Sequence, residues 1–484
     1  MACPIRLDFI QARYPSAREN ARSMNSQDTI VAIATPPGRG GLGLVRLSGP
    51  AARAIALQIF PGLRLRPWRM QHAKWRENGE LVDEVLVAWF PAPRSYTAED
   101  VIEISAHGSP VLLRHLVQAC LHQGARLAEA GEFTQRAFLN GRLDLTQAEA
   151  IGDLIHAQTL AQARHAARQM EGSLARALKP LKHDLCEFIA RLEAGIDFAD
   201  DDVSQLGREE IAGAAERIQS VLTAMAASYA QGRWLREGAL LALAGRPNAG
   251  KSSLFNRLLA MERALVAAEA GTTRDVITER LQLAGIPVTL ADTAGLRDAA
   301  HAIERQGMEK TRETLAEADL VLLVLDGATA LTDADFALMS QIAQMPRVVV
   351  ARNKCDLPCP WSAQEQSRAL EAIHFPCPSG QPPWLEVSAL TGEGLDALRA
   401  YLAHTLVPQS EESGEWITNQ RQARHLEAAA AALARMVAAN RQSAPHEALL
   451  VCLYAALQEL DALTGQTTAE DILGLIFSSF CIGK

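Results

Sequence analysis

The chain has 484 residues, a length that predicts two to four domains rather than one oversized core. Hydrophobic residues make up 48% and charged residues 21%, which are globular proportions, so a disordered chain and a fibrous repeat are both excluded. The formal charge of −9 is the wrong sign for a protein that coats nucleic acid non-specifically, while leaving room for a basic face on one domain.

In chain order, Met1 to Asn25 carries Arg6, Asp8, Arg13, Arg18, Glu19 and Arg22 and lacks the apolar core of a signal peptide, so nothing directs export. From Thr29 to about Leu139, runs such as Thr29 to Ile33 and Val101 to Ile104 alternate with Gly-Pro clusters, predicting a mixed α/β domain. Thr35 to Gly43 is a glycine-rich loop between two strands, as readily a plain turn as a phosphate cradle. From Leu143 to Leu235 the chain is rich in Ala, Leu, Glu and Arg at helical spacing, interrupted only by Pro180, and the same character returns from Ile417. Between these halves short apolar runs alternate with helical stretches, the pattern of a doubly wound α/β domain inserted into a helical one. The expected boundaries are an extension at 1–27, an N-terminal α/β domain at 28–142, helical halves at 143–236 and 407–484, and the inserted domain at 237–406. Ala448 to Leu457, the longest apolar run, falls short of the roughly 18 residues of a membrane span and reads as a buried helix segment, so a soluble protein is expected. Eight scattered cysteines without a CxxC pair suggest a reducing cytosol rather than a disulfide framework or zinc ribbon.

Chemistry concentrates in the inserted region. An apolar strand from Leu240 feeds GxxxxGKS, Gly245 to Ser252, and then a helix. In this context backbone N–H groups of Asn248, Ala249, Gly250 and Ser253 cradle phosphate, Lys251 reaches the terminal phosphates and the Ser252 hydroxyl ligates Mg²⁺. Asp292-Thr293-Ala294-Gly295 follows a strand around Val288 to Ala291 and brings a carboxylate to the Mg²⁺ and a glycine N–H to the γ-phosphate. Asn353-Lys354-Cys355-Asp356 follows a strand at Arg347 to Ala351, and Ser388-Ala389-Leu390 follows one at Leu385 to Val387. Each set sits at the carboxyl end of a strand, where open α/β sheets bind ligands. Asp356 selects the base: a carboxylate accepts from both the ring N–H and the exocyclic amine of guanine, whereas adenine would face it with a lone pair. GTP rather than ATP is therefore expected.

These motifs resemble the translation-factor-like GTPases, with Gly271 to Asp275 as switch I and Thr273 completing the Mg²⁺ shell. Leu296 stands where Ras-type enzymes carry the water-orienting glutamine, so another group must take that role. Asp28 to Gly49, Gly131 to Asn140 with Leu143 to Ile151, and terminal Phe480 to Lys484 are similar to blocks of the MnmE (TrmE) family of bacterial tRNA-modification GTPases, within the TrmE-Era-EngA-EngB-Septin-like GTPases. The likeness runs from Asp28 to Lys484.

That resemblance implies a cytoplasmic homodimer with a folate-binding, dimerising N-terminal domain, a helical domain interrupted by a Ras-like GTPase, and a C-terminal CxGK tail. It further implies that, with the FAD- and NADH-using partner MnmG in a heterotetramer or larger complex, the chain installs an aminomethyl or carboxymethylaminomethyl group on the wobble uridine of certain tRNAs. The one-carbon donor would be a 5-formyl- or methylene-tetrahydrofolate. By matching motif, folate would meet Arg46, Glu103, Arg142 and Lys484, a carboxylate for the guanidine-like pterin face and cations for the glutamate tail. Arg142 is Lys in some relatives, which keeps charge and changes fork geometry. A K⁺ ion would be held by the Asn248 side chain and by switch-I groups of Ala267, Glu269 and Thr272, in a nucleotide-contacting loop that includes Ala268, Ala270 and Gly271, with hydrolysis activated by G-domain dimerisation. Glu304 would orient the attacking water. Cys481, beside Lys484, is a candidate thiol near the folate carbon, with closure of the folate site by the tail the safer reading. Met24 offers an alternative start, and Met1 to Ser23 are given no function. The rival reading is a pure GTP switch, which would have no use for the folate blocks or the Cys-Ile-Gly-Lys tail.

Overall fold

The computed structural model describes residues 28–197, 207–262, 277–292, 313–345, 347–373, 384–406 and 417–465. Their helices, in chain order, are α1 (Ala52–Ile59), α2 (Pro110–His122), α3 (Glu132–Leu139), α4 (Leu145–His156), α5 (Leu160–Met170), α6 (Ser173–Asp197), α7 (Arg208–Ala227), α8 (Tyr229–Glu237), α9 (Lys251–Glu262), α10 (Asp333–Ile342), α11 (Ala363–Ile373), α12 (Leu395–Leu406), α13 (Gln420–Arg441) and α14 (His446–Thr464). The chain divides into two compact units, Met1–Ile155 with Ala166–Thr223 and Arg424–Lys484, and His156–His165 with Ala224–Ala423.

The first unit holds a sheet of β1 (Ile30–Ile33), β2 (Gly43–Ser48), β3 (Met70–Glu77), β4 (Glu80–Phe90), β5 (Val101–Ala106) and β6 (Arg126–Leu127), in the order β3-β4-β5-β2-β1-β6. All pairings are antiparallel except β1 with β6. Period-2 alternation decides the faces. Val45 and Leu47 are buried with Ile55, Ile104 and Leu116 in a core shared with α1 and α2. Arg46, between them, points the other way, toward the side where Phe133 of α3 packs on Ile30 and Ala32. Within this unit α6 and α14 are tied by the Lys182–Asp461 ion pair at 2.5 Å and by the Tyr454 hydroxyl donating to Glu193 at 2.6 Å. The apolar run within α14 buries Leu449, Leu453 and Ala456 but leaves Val451 exposed, so the expected buried segment is an amphipathic helix face. No helix among the described residues is long and apolar enough to cross a membrane.

The second unit is a sheet of β7 (Ala239–Ala244), β8 (Ile277–Leu283), β9 (Ile286–Asp292), β10 (Leu320–Asp326), β11 (Val348–Asn353) and β12 (Trp384–Glu386), ordered β12-β11-β10-β7-β9-β8. Every neighbour is parallel except the β8/β9 pair. Leu320 to Leu325 are buried throughout, as strands covered on both faces must be. One face packs Leu241, Leu322 and Leu398, the other Ala242, Leu323 and Met339. This is the expected doubly wound arrangement with an antiparallel edge. The strands run further than read from sequence, β9 to Asp292 and β11 to Asn353, so both side chains stand on the sheet's carboxyl edge.

Candidate functional site

The loop after β7 has a shape that few side chains permit. A Cβ on Gly245 would lie 2.4 Å from the Val324 carbonyl oxygen, and one on Gly250, at φ +91°, would lie 2.1 Å from Asn353 Nδ2. Asn248 is also left-handed, at φ 66°. Such a loop curls its N–H groups into a concave nest, and α9, starting at Lys251, adds the positive end of its dipole. Lys251 is buried and donates from Nζ to the carbonyl oxygens of Gly245 and Arg246, each at 2.8 Å, so its ammonium arches back across the loop.

Ser252, in the first turn of α9, donates to Asp292 Oδ2 at 2.9 Å, and Asp292 is only 3% exposed at the end of β9. A hydroxyl and a carboxylate meeting beside a phosphate cradle form an oxygen-only donor set, which fits Mg²⁺.

Asn353 proves to be a clasp. At 2% exposure it donates from Nδ2 to the Ala249 carbonyl at 2.9 Å and accepts at Oδ1 from the Ala389 N–H at 3.0 Å, joining the phosphate loop to the Ser388-Ala389-Leu390 loop. Lys354, left-handed at φ 65°, reaches Asp326 at 2.6 Å. The Cys355 N–H donates to Val387, and the buried Ser388 hydroxyl accepts from the Thr391 N–H at 3.0 Å. Arg257 donates to the carbonyl oxygens of Ala389 and Leu390, leaving the Leu390 side chain out in solvent. Asp356 is exposed beside these loops. The edge thus gathers Asn248 to Ser253, Asp292, Asn353 to Asp356 and Ser388 to Leu390. Ala267, Ala268, Glu269, Ala270, Gly271, Thr272, Thr273, Thr293, Ala294, Gly295, Glu304, Cys481 and Lys484 lie outside the described residues.

Sequence reading missed three supports. Asp326 holds Lys354, Arg257 holds the 388–390 loop, and the Arg246–Asp335 ion pair at 2.6 Å ties the phosphate loop to the capped start of α10. Only Asp326-Gly327, ending an apolar strand, offered a local signal: a Cβ on Gly327 would sit 2.7 Å from the Asn353 carbonyl oxygen.

In the first unit Arg46 and Glu103 face each other across β2 and β5, with Nε and one terminal nitrogen of Arg46 at 2.9 and 2.7 Å from Glu103 Oε1. Tyr96 organises the surroundings. Its ring lies 5.2 Å from the Arg46 guanidinium and 5.5 Å from that of Arg142, which also donates to the Tyr96 carbonyl at 3.1 Å. Burial pushes the Tyr96 phenol up, against a 2.8 Å hydrogen bond with Thr134 and the two cations. Arg46, Glu103 and Arg142 are therefore brought together, around an aromatic that no motif announced. Behind them Asp28, Arg126, Glu132, Arg136 and Glu99 form an ion-pair network. Burial opposes ionisation of Glu132, yet hydrogen bonds from Arg126 and Arg136 hold its carboxyl below the usual range.

Two family models match the chain: the GTP-binding protein TrmE N-terminus over residues 29–142 and the MnmE helical domain over 145–481. A tRNA modification GTPase MnmE of Koribacter versatilis is 48% identical, covering 95% of this chain and all of that one. The MnmE of Heliobacterium modesticaldum is 42% identical, covering 94% and 99%. Among solved structures, the G domain of the T. maritima FeoB iron transporter matches with a TM-score of 0.24 at 26% identity, covering 34% of this chain and 97% of its own. With near-full-length identity above 40% and two matching domain models, the chain belongs to the MnmE family of tRNA modification GTPases.

Proposed function

We propose that the chain hydrolyses GTP to drive tRNA wobble-uridine modification. What supports this most is that one chain holds both a glycine-rich cradle braced by Asn353 and an Arg46–Glu103–Arg142 cluster whose chemistry would suit a folate. Lys251 and the loop N–H groups bind the phosphates, and Asp356 accepts from guanine. Ser252 and Asp292 would hold Mg²⁺, with Thr273 completing the shell; when bound, the ion offsets charge developing on the β- and γ-phosphates. The Asn248 side chain with Ala267, Glu269 and Thr272 would hold K⁺. Glu304 positions water for attack on the γ-phosphate, the role Leu296 is unable to fill.

In the first unit Glu103 accepts from the pterin while Arg46, Arg142 and Lys484 bind the anionic tail of a tetrahydrofolate one-carbon donor. The chain acts in the cytoplasm as a homodimer with MnmG, which brings FAD and NADH. Its functional divisions are folate binding at 28–142, a helical domain at 143–236 and 407–484, and GTP hydrolysis at 237–406. Mass analysis of tRNA nucleosides tests this reading. A strain lacking the chain should lose the modified wobble uridine, and Glu304→Ala should fail to restore it while lowering GTP turnover about 10²–10⁴-fold with little change in nucleotide affinity. Unaltered nucleosides in the deletion strain would refute the proposal.

A further inference from the structure

From Thr29 to Arg76 the chain carries eight Arg and Lys residues and no Asp or Glu, in a protein of formal charge −9. Three of them, Arg64, Arg66 and Arg69, lead into β3, one of the two edge strands of the first unit's sheet. All three are exposed, and none makes an ion pair or side-chain hydrogen bond with the described residues. Trp68 stands among them, 57% exposed, its ring edge-on to Phe90 at 5.1 Å. Its backbone is left-handed at φ 59°, a conformation that a bulky residue keeps only where its surroundings hold it.

Register connects this rim to the folate pair. Met70 lies opposite Ala88, Ala88 opposite Glu103 and Glu103 opposite Arg46, so the four share one row and one face. At about 4.8 Å per strand, Met70 is roughly 10 Å from Glu103. Met70 is 61% exposed and Leu86, in the next row, 39%, while Ala73 and Trp75 point to the core beneath. Glu84 is the acidic group on this part of the face, and it already meets His72 at 3.3 Å and Lys74 at 3.6 Å. The three rim arginines remain for a polyanion.

We propose that this face docks a single-stranded RNA loop, stacking a base on Trp68 and binding phosphates through Arg64, Arg66 and Arg69, beside the Arg46–Glu103 pair. The proposal rests on the reading of tRNA as substrate. Unstacked loop bases are what aromatic side chains and arginines on a sheet recognise. A second copy is disfavoured here, because a two-fold contact centred on Trp68 would bring the arginines of both copies together.

The test uses the full-length chain and a fluorescein-labelled anticodon stem-loop RNA with unmodified uridine at the wobble position, read by anisotropy, with light scattering for mass. Trp68→Ala should weaken binding about 5- to 100-fold at unchanged mass, and Trp68→Tyr should restore most of it. The double change Arg66→Ala with Arg69→Ala should lower the slope of log affinity against log salt by about 1.4. Undiminished binding in these variants would overturn the proposal. So would a fall from dimer to monomer in Trp68→Ala, which would make the face a contact between copies. Absence of stem-loop binding by the unaltered chain would also overturn it, and nucleoside analysis of the deletion strain would then decide separately whether tRNA modification still stands.

Discussion

The phosphate cradle of the second unit is made of backbone, whereas the Arg46–Glu103 face of the first is made of side chains drawn from strands 57 residues apart. In the cradle, left-handed residues and glycines set the curvature, and side chains such as Asn353 and Arg257 serve mainly to hold loops in place. On the Arg46–Glu103 face the sheet only fixes which residues meet, and an aromatic ring, Tyr96, lies against both cations. A backbone site tolerates few shapes and selects by geometry. A side-chain site tolerates many shapes and selects by charge and hydrogen bonding.

Four substitutions probe that contrast. Asp356→Asn should have the largest effect, because it replaces one of the two acceptor oxygens with an N–H donor, so that one of guanine's donors faces another donor. A loss of roughly 10²–10⁴-fold in GTP affinity with a gain for xanthosine triphosphate is expected from competition binding. Unchanged preference for GTP would mean that backbone alone reads the base. Asn353→Ala removes both arms of the clasp and strands the buried Ala249 carbonyl and Ala389 N–H, costing about 1–3 kcal/mol in urea unfolding of the second unit. GTP affinity should fall with it while folate affinity holds.

Glu103→Gln keeps the shape of the Arg46–Glu103 face and deletes the carboxylate charge. Calorimetry should show binding of 5-formyltetrahydrofolate weakened about 10-fold with GTP turnover intact, since a hydrogen bond to a charged group contributes about 1.5–3 kcal/mol. Normal folate binding would leave Glu103 as a partner for Arg46 alone.

Glu132→Gln should touch neither ligand and act on stability. Its carboxyl titrates lower in the folded state than in the unfolded chain, so its stabilisation is present above the unfolded pKa of about 4.3 and is lost as pH falls through the folded value. The variant should be less stable than the parent by about 1–3 kcal/mol at pH 7, and the gap should close in acid. A gap independent of pH would point to packing rather than charge.

The sequence alone determined the cradle, the chemistry of its ligand and the alternation of strands and helices around it. Gly245 to Ser252 is contiguous, and its function follows from local backbone freedom, one cation and one hydroxyl, none of which needs a distant partner. The carboxyl-edge placement of Asp292, Asn353 and Ser388 followed from apolar runs long enough to be buried strands. Tertiary structure decided what else those residues do there: Asn353, in a loop expected to meet the nucleotide, also clasps two loops together, because only folding brings Ala249 and Ala389 to its two ends. Tyr96 and Arg257 were illegible for the same reason. That Arg46 and Glu103 share one site was expected only through resemblance to a family, and their pairing came with the fold, since register across β2 and β5 is set by which faces bury Val45, Leu47 and Ile104 together, a global choice that no local pattern encodes.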